Sequence, residues 1–175
     1  MLRNAQLRSL KRLNNYTLID EIIKRLLHLL IGMEKRFYLD TSIWIDYVED
    51  RGDGIRPLGE FAFRFLKYCE ERDLEILVSD IVILELQKIL SKERINEGFF
   101  PFEGIIKYIA ATPEQHNEAK REWLKANKKI PFYDVLHAVI AKHNDAILVT
   151  RDEHFNAICS MLGTEVKKPE DLIYL

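Results

Sequence analysis

The chain has 175 residues, 47% apolar and 31% charged, with a formal net charge of −2. That length supports one domain, or one domain with an appendage, around a sizeable core, and the composition excludes disordered and collagen-like classes. Residues 1–32 hold Arg3, Arg8, Lys11, Arg12, Lys24 and Arg25 against Asp20 and Glu21, a balance of +4 that leaves −6 for the remainder; bulk-charge coating of nucleic acid is thereby disfavoured, though local basic patches are not.

From the N-terminus, no apolar stretch with a small-residue cleavage site marks a signal peptide, and no window is apolar enough to span a membrane, so a cytoplasmic protein is expected. Residues 17–31 (TLIDEIIKRLLHLLI) repeat apolar side chains at the period of an amphipathic helix, with Thr17 as N-cap and Gly32 past its end. The expected division is an N-terminal helical extension, 1–32, and a domain over 33–175. The mixed polar face of the extension suits docking on the domain or on a second copy better than lying on a membrane.

Strand and helix patterns alternate thereafter. RFYLD (36–40) reads as a strand and TSIWIDYVE as a helix. The turn-rich DRGDGIRPLG leads into the helix EFAFRFLKYCEER. EILVS (75–79) reads as the second strand, running straight into a helix, DIVILELQKILSKE, capped by Ser79 or Asp80. IIKYIA (105–110) reads as a third strand, with a helix as the other option. Thr112-Pro113-Glu114-Gln115 carries N-cap, first-turn proline and capping-box signals for a helix to about Asn127. IPFYDVLHAVIA is the next helix, AILVT (146–150) the fourth strand, EHFNAICSML a short helix ended by Gly163, and TEVKK a weak last strand. Strands separated by helices imply a parallel sheet covered on both faces. Cys69 and Cys159 lack metal-site spacing and are expected as buried thiols in a reducing cytosol.

Four acids hold matching positions in this pattern. Asp40 and Asp152 follow strands, Glu85 lies on the helix after the second strand, and Asp134 opens the helix before the fourth. Strand ends and following helices of an open parallel sheet converge on one crevice, where ligands bind. Carboxylates gathered there repel one another unless a cation sits among them, and hard divalent cations take oxygen ligands. Each acid also has a structural explanation: Asp40 and Asp152 as N-caps, Asp134 as a dipole-stabilised first-turn acid, Glu85 as part of a solvated stripe with Lys88 and Lys92. His137, one turn beyond Asp134, reads as packed rather than ligating.

The segments DTSIWIDYV, VSDIVILEL and FYDVLHAVIAKHNDAILVTRDEHF together resemble the PIN-domain family, in particular the VapC-like ribonucleases, over about residues 34–174. The resemblance rests on Asp40-Thr41-Ser42, on Glu85, on Asp134, His137 and Ala141, and on Thr150, Asp152 and Phe155. It implies an α/β fold: a three-layer α/β/α sandwich around a parallel sheet of order 3-2-1-4-5, with the N-terminal amphipathic helix as an addition. It also implies Mg²⁺ or Mn²⁺ at the carboxylates and hydrolysis of RNA phosphodiester bonds. Asp40, Asp134 and Asp152 would then be metal ligands, with Glu85 sharing a metal or accepting a proton from water. Ser42 and Thr150 would orient the carboxylates, Arg151 is a candidate phosphate contact, and Lys128-Lys129 and Lys167-Lys168 are candidate backbone contacts. Relatives include toxins restrained by a small antitoxin and RNA-maturation nucleases, and a homodimer is expected from the family and the apolar stripe at 19–30.

Rival classes fit less well. A phosphoaspartyl phosphatase needs an acid where Ser42 stands, and a receiver domain needs an acid pair that RFYLD lacks. A flap nuclease needs a helical arch that only the insert near 49–60 could begin to supply. A metal-free RNA- or protein-binding module of the same fold is the non-enzyme alternative, and the retention of all four acids speaks against it.

Overall fold

Five short parallel strands build the centre of the protein, whose computed structural model describes residues 35–173. The helix expected over 17–31 and the boundary after residue 32 lie outside the described residues. The strands are β1 (Arg36–Leu39), β2 (Ile76–Ser79), β3 (Ile106–Ile109), β4 (Ala146–Val149) and β5 (Val166–Lys167). Their order is β3-β2-β1-β4-β5, as the family resemblance implied. Central β1, β2 and β4 are almost wholly buried and β3 and β5 are half-exposed, the burial expected of inner and edge strands under two helical layers.

The helices are α1 (Thr41–Val48), α2 (Leu58–Glu71), α3 (Asp80–Leu86), α4 (Lys92–Phe99), α5 (Pro113–Lys125), α6 (Phe132–His143), α7 (His154–Leu162) and α8 (Pro169–Leu172). Parallel crossovers are right-handed, so connections stepping from β1 to β3 and those stepping from β3 to β5 place their helices on opposite faces. The packing follows that rule: α1 contacts α2 and α4, while α6 contacts α5 and α7. No helix among the described residues is long and apolar enough to cross a membrane.

Local signals act as the sequence leads one to expect at several helix ends. Ser79 Oγ accepts from the Val82 amide and starts α3, while Thr112 and Gln115 form a complete capping box on α5. Gly163 closes α7 in the left-handed region at φ 70°. One expectation is corrected. The helix foreseen over 80–93 stops at Leu86, and a separate one begins after Ser91, whose hydroxyl accepts from the Arg94 amide. The break redirects the chain so that Phe99 packs on Trp44, with ring centroids 4.3 Å apart. Tertiary packing overrides the continuous apolar pattern.

The reversal of strand order falls between β1 and β4, and there the register pairs Leu39 with Val149. Asp40 and Thr150, the next residues, therefore stand side by side at the carboxyl edge of the sheet. α1 begins at that edge and packs closely on α2: a Cβ at Gly59 would lie 2.6 Å from the Asp50 Cα and 2.7 Å from the Asp46 carbonyl oxygen. Since those neighbours are backbone, they cannot yield by a rotamer change. Gly59→Ala is expected to destabilise the fold by about 1–3 kcal/mol in urea unfolding. Gly104→Ala, where an added Cβ meets no atom within 4 Å, is expected to change stability little.

Candidate active site

Asp40 follows β1 and occupies the N-cap position of α1, but its carboxylate makes no capping bond. Instead Oδ2 accepts from Ser42 Oγ at 2.6 Å and from Thr150 Oγ1 at 2.9 Å, leaving Oδ1 as the oxygen with no donor among the described residues. Glu85, on α3, is arranged in the same way. Oε2 accepts from Thr41 Oγ1 at 2.5 Å and from His137 Nε2 at 3.1 Å. Asp152 lies past β4, where its Oδ1 accepts from the His154 amide at 2.9 Å and lies 2.9 Å from His154 Nδ1. The N-cap of α7 is Glu153, so this contact is a local bond to the amide two residues on rather than the cap its position suggested. Asp134, in the first turn of α6, receives no hydrogen bond among the described residues.

These acids sense one another. Burial, followed by the charges of Asp152, Asp40 and Glu85, lifts Asp134 from 3.8 to about 6, against a smaller opposing effect of His137. Glu85 moves the other way: burial opposes its ionisation, but the bonds from His137 and Thr41 and the positive charge of Lys88 outweigh it. The result is a group of carboxylates whose negative charges act on one another at one edge of the sheet. Such an all-oxygen donor set fits Mg²⁺ or Mn²⁺. Among the described residues no three ligand-type side chains yet converge on a position for one ion; Glu85 and Asp152 are each engaged by their own partners to one side.

Behind Glu85 runs a polar chain that sequence reasoning missed. His137 is buried on α6, with Nδ1 2.7 Å from the Tyr38 hydroxyl, which lies 2.7 Å from Ser79 Oγ. The signal was present in the text: Tyr38, Ser79 and His137 interrupt apolar runs, and buried polar groups must satisfy one another.

Arg151 requires a correction. Its Nε donates to Asp46 Oδ2 at 2.8 Å, Nη1 to Glu170 Oε1 at 2.7 Å, and Nη2 to the Leu58 carbonyl at 3.2 Å. The guanidinium thus ties α1, α2 and α8 together, and its bonds are spent on the protein rather than offered to phosphate. The lysine patches are also partly engaged: Lys128 lies over the Trp123 ring, Lys167 is 3.5 Å from Glu165, and Lys168 is 4.0 Å from Glu153.

Two outcomes follow for measurement. Asp134 binds its proton more tightly folded than unfolded, so its contribution to stability is complete below about pH 4 and is lost as pH rises through about 6. In EDTA at pH 7.5, Asp134→Asn is therefore expected to melt above the parent, with the gap closing below pH 4. Arg151→Ala leaves the buried Asp46 and Glu170 without their cation, and a loss of about 3–5 kcal/mol is expected in urea unfolding; a loss confined to substrate affinity would point instead to phosphate binding.

Comparison with known proteins agrees with this geometry. A family model described as the PIN domain matches residues 37–160, which include all four acids. The VapBC2 structure from Rickettsia felis, bound to a DNA fragment from its promoter, aligns at TM-score 0.57 and 21% identity, covering 76% of this chain and 98% of that one. DNA-bound VapBC from Salmonella typhimurium aligns at 0.56 and 17%, covering 77% and 98%. PAE2754 from Pyrobaculum aerophilum aligns at 0.53 and 18%, covering 82% and 96%. At these identities the alignments speak to fold alone, and no curated protein matches the chain. With its strand order and a family match over most of its length, this chain belongs to the PIN domain family.

Proposed function

We propose that the protein is a divalent-cation-dependent endoribonuclease, with Asp40, Glu85, Asp134 and Asp152 holding Mg²⁺ or Mn²⁺. One observation carries the reading: acids from four separate elements are near enough at one sheet edge that, on top of burial, the charges of three of them add to the rise of the fourth to about 6. Arg151, next to Asp152 in the chain, is bound to Asp46 and Glu170, so its charge is not directed at these acids. A cation bound there supplies an activated water and charge neutralisation at a scissile phosphate. Ser42 and Thr150 hold Oδ2 of Asp40, while Thr41 and His137 hold Oε2 of Glu85, which limits the rotation of both carboxylates. Of the two roles open to Glu85, its lowered pKa favours ligand over proton acceptor.

The preference for RNA comes from the family resemblance. So does the role as a cytoplasmic, self-associating toxin with a small antitoxin partner, to which the likeness to the VapBC structures adds support. An RNA-maturation nuclease uses the same site and is the alternative role. Labelled RNA and DNA incubated with Mg²⁺, Mn²⁺ or EDTA provide the test. Cleavage of RNA that EDTA stops, and that Asp40→Asn and Asp134→Asn each lower by more than ~100-fold, is expected. Absence of cleavage from every RNA, together with a melting temperature indifferent to metal, would replace this reading with a non-catalytic binding module.

A further inference from the structure

The chain behind Glu85 has a direction. The Val82 amide can only donate, and it donates to Ser79 Oγ at 3.2 Å. At the other end, the ionised Glu85 carboxylate can only accept, so His137 Nε2 donates to it. Between these ends are three groups: Ser79 and Tyr38, with one hydroxyl hydrogen each, and His137 Nδ1. Burial holds the Tyr38 phenol well above its ordinary pKa, so it keeps its hydrogen. If Ser79 donates to Tyr38 and Tyr38 donates to Nδ1, every hydrogen finds an acceptor and the imidazole carries one proton, on Nε2. If the ring instead carried two, Nδ1 would donate to Tyr38 and Tyr38 to Ser79. The hydrogen of the fully buried Ser79 would then be left without an acceptor among the described residues, an arrangement that buried hydroxyls avoid.

We propose that His137 is a positioning residue for Glu85, fixed as the Nε2–H tautomer by a one-way hydrogen-bond chain from the Val82 amide through Ser79 and Tyr38. The chain spans β1, β2, α3 and α6, so the placement of a carboxylate at the sheet edge is set by buried strand residues beneath it. With Thr41 and His137 both on Oε2, Oε1 is the oxygen of Glu85 left without a donor among the described residues. The consequence for cation binding rests on the function proposed above, whereas the tautomer does not.

Three variants test this: His137→Leu, His137→Gln, which keeps an amide donor toward Glu85, and Tyr38→Phe, which keeps the ring but removes the donor to Nδ1. Nitrogen-15 spectra of histidine-labelled protein report the tautomer without metal or substrate. The expected parent spectrum has His137 protonated on Nε2 and bare on Nδ1, with Tyr38→Phe disturbing that state; a doubly protonated ring, or one indifferent to Tyr38→Phe, overturns the chain. Calorimetric titration with Mn²⁺ reports the consequence. His137→Leu and Tyr38→Phe are expected to weaken binding by about 10-fold or more, and His137→Gln by far less. Because Tyr38→Phe changes a single atom, it keeps the test alive if His137→Leu does not fold. Parent-like Mn²⁺ affinity in Tyr38→Phe and in folded His137→Leu, with only melting temperature lowered, leaves His137 a packing residue and overturns the positioning role. A parent that binds no Mn²⁺ at all overturns the functional reading as well, a result distinct from either.

Discussion

Negative charge collected at the carboxyl edge of a parallel sheet is the constraint around which the rest of this protein is arranged. Asp40, Glu85 and Asp152 are each stabilised by specific donors: two hydroxyls for the first, a hydroxyl and an imidazole for the second, a helix amide and a histidine for the third. Asp134 has no such donor among the described residues, and burial, reinforced by the charges of its neighbours, appears there as a pKa near 6. A folded chain that keeps an acid in such a place forgoes stability it could have had, which is common where a site is built for a ligand.

The arginine adjacent to the site in the chain is committed elsewhere. Arg151 stands between Thr150 and Asp152 in the chain, yet its guanidinium turns from the acids toward Asp46, Glu170 and the Leu58 carbonyl. Burial alone would push Asp46 upward, and Arg151 offsets part of that effect. One arginine therefore locks α1, α2 and α8 beside the edge without entering it. Holding the helices and keeping this guanidinium from the carboxylates follow from the same set of bonds.

Much of the fold could be read from the chain because its signals are local. Alternating strand and helix periods, the Thr112 capping box, Ser79 as a cap and Gly163 as a stop each depend on residues within a few positions. The failures came where distant contacts decide. The break after Leu86 depends on Phe99 reaching Trp44. The strand read at 105–110 is borne out, and its place beside β2, with Ile76 opposite Ile106, is what decides it against the helix. The occupation of Arg151 could not be read either, since Asp46 lies 105 residues away.

For the site, the residue types and their order along the chain were sufficient to nominate the four acids, because a carboxylate at the end of an apolar strand or on an apolar helix is costly wherever it lands. What each acid touches was decided only in three dimensions. Sequence alone left Asp40 an even choice between cap and ligand; the β1–β4 register put Thr150 beside it and drew its carboxylate to the two hydroxyls. His137 read as a packed histidine, and it is indeed buried, but parallel pairing of β1 with β2 places Tyr38 and Ser79 within reach of its ring. Local propensity acts over one or two turns, whereas hydrogen-bond partners more than 40 residues apart exist only once the sheet has closed.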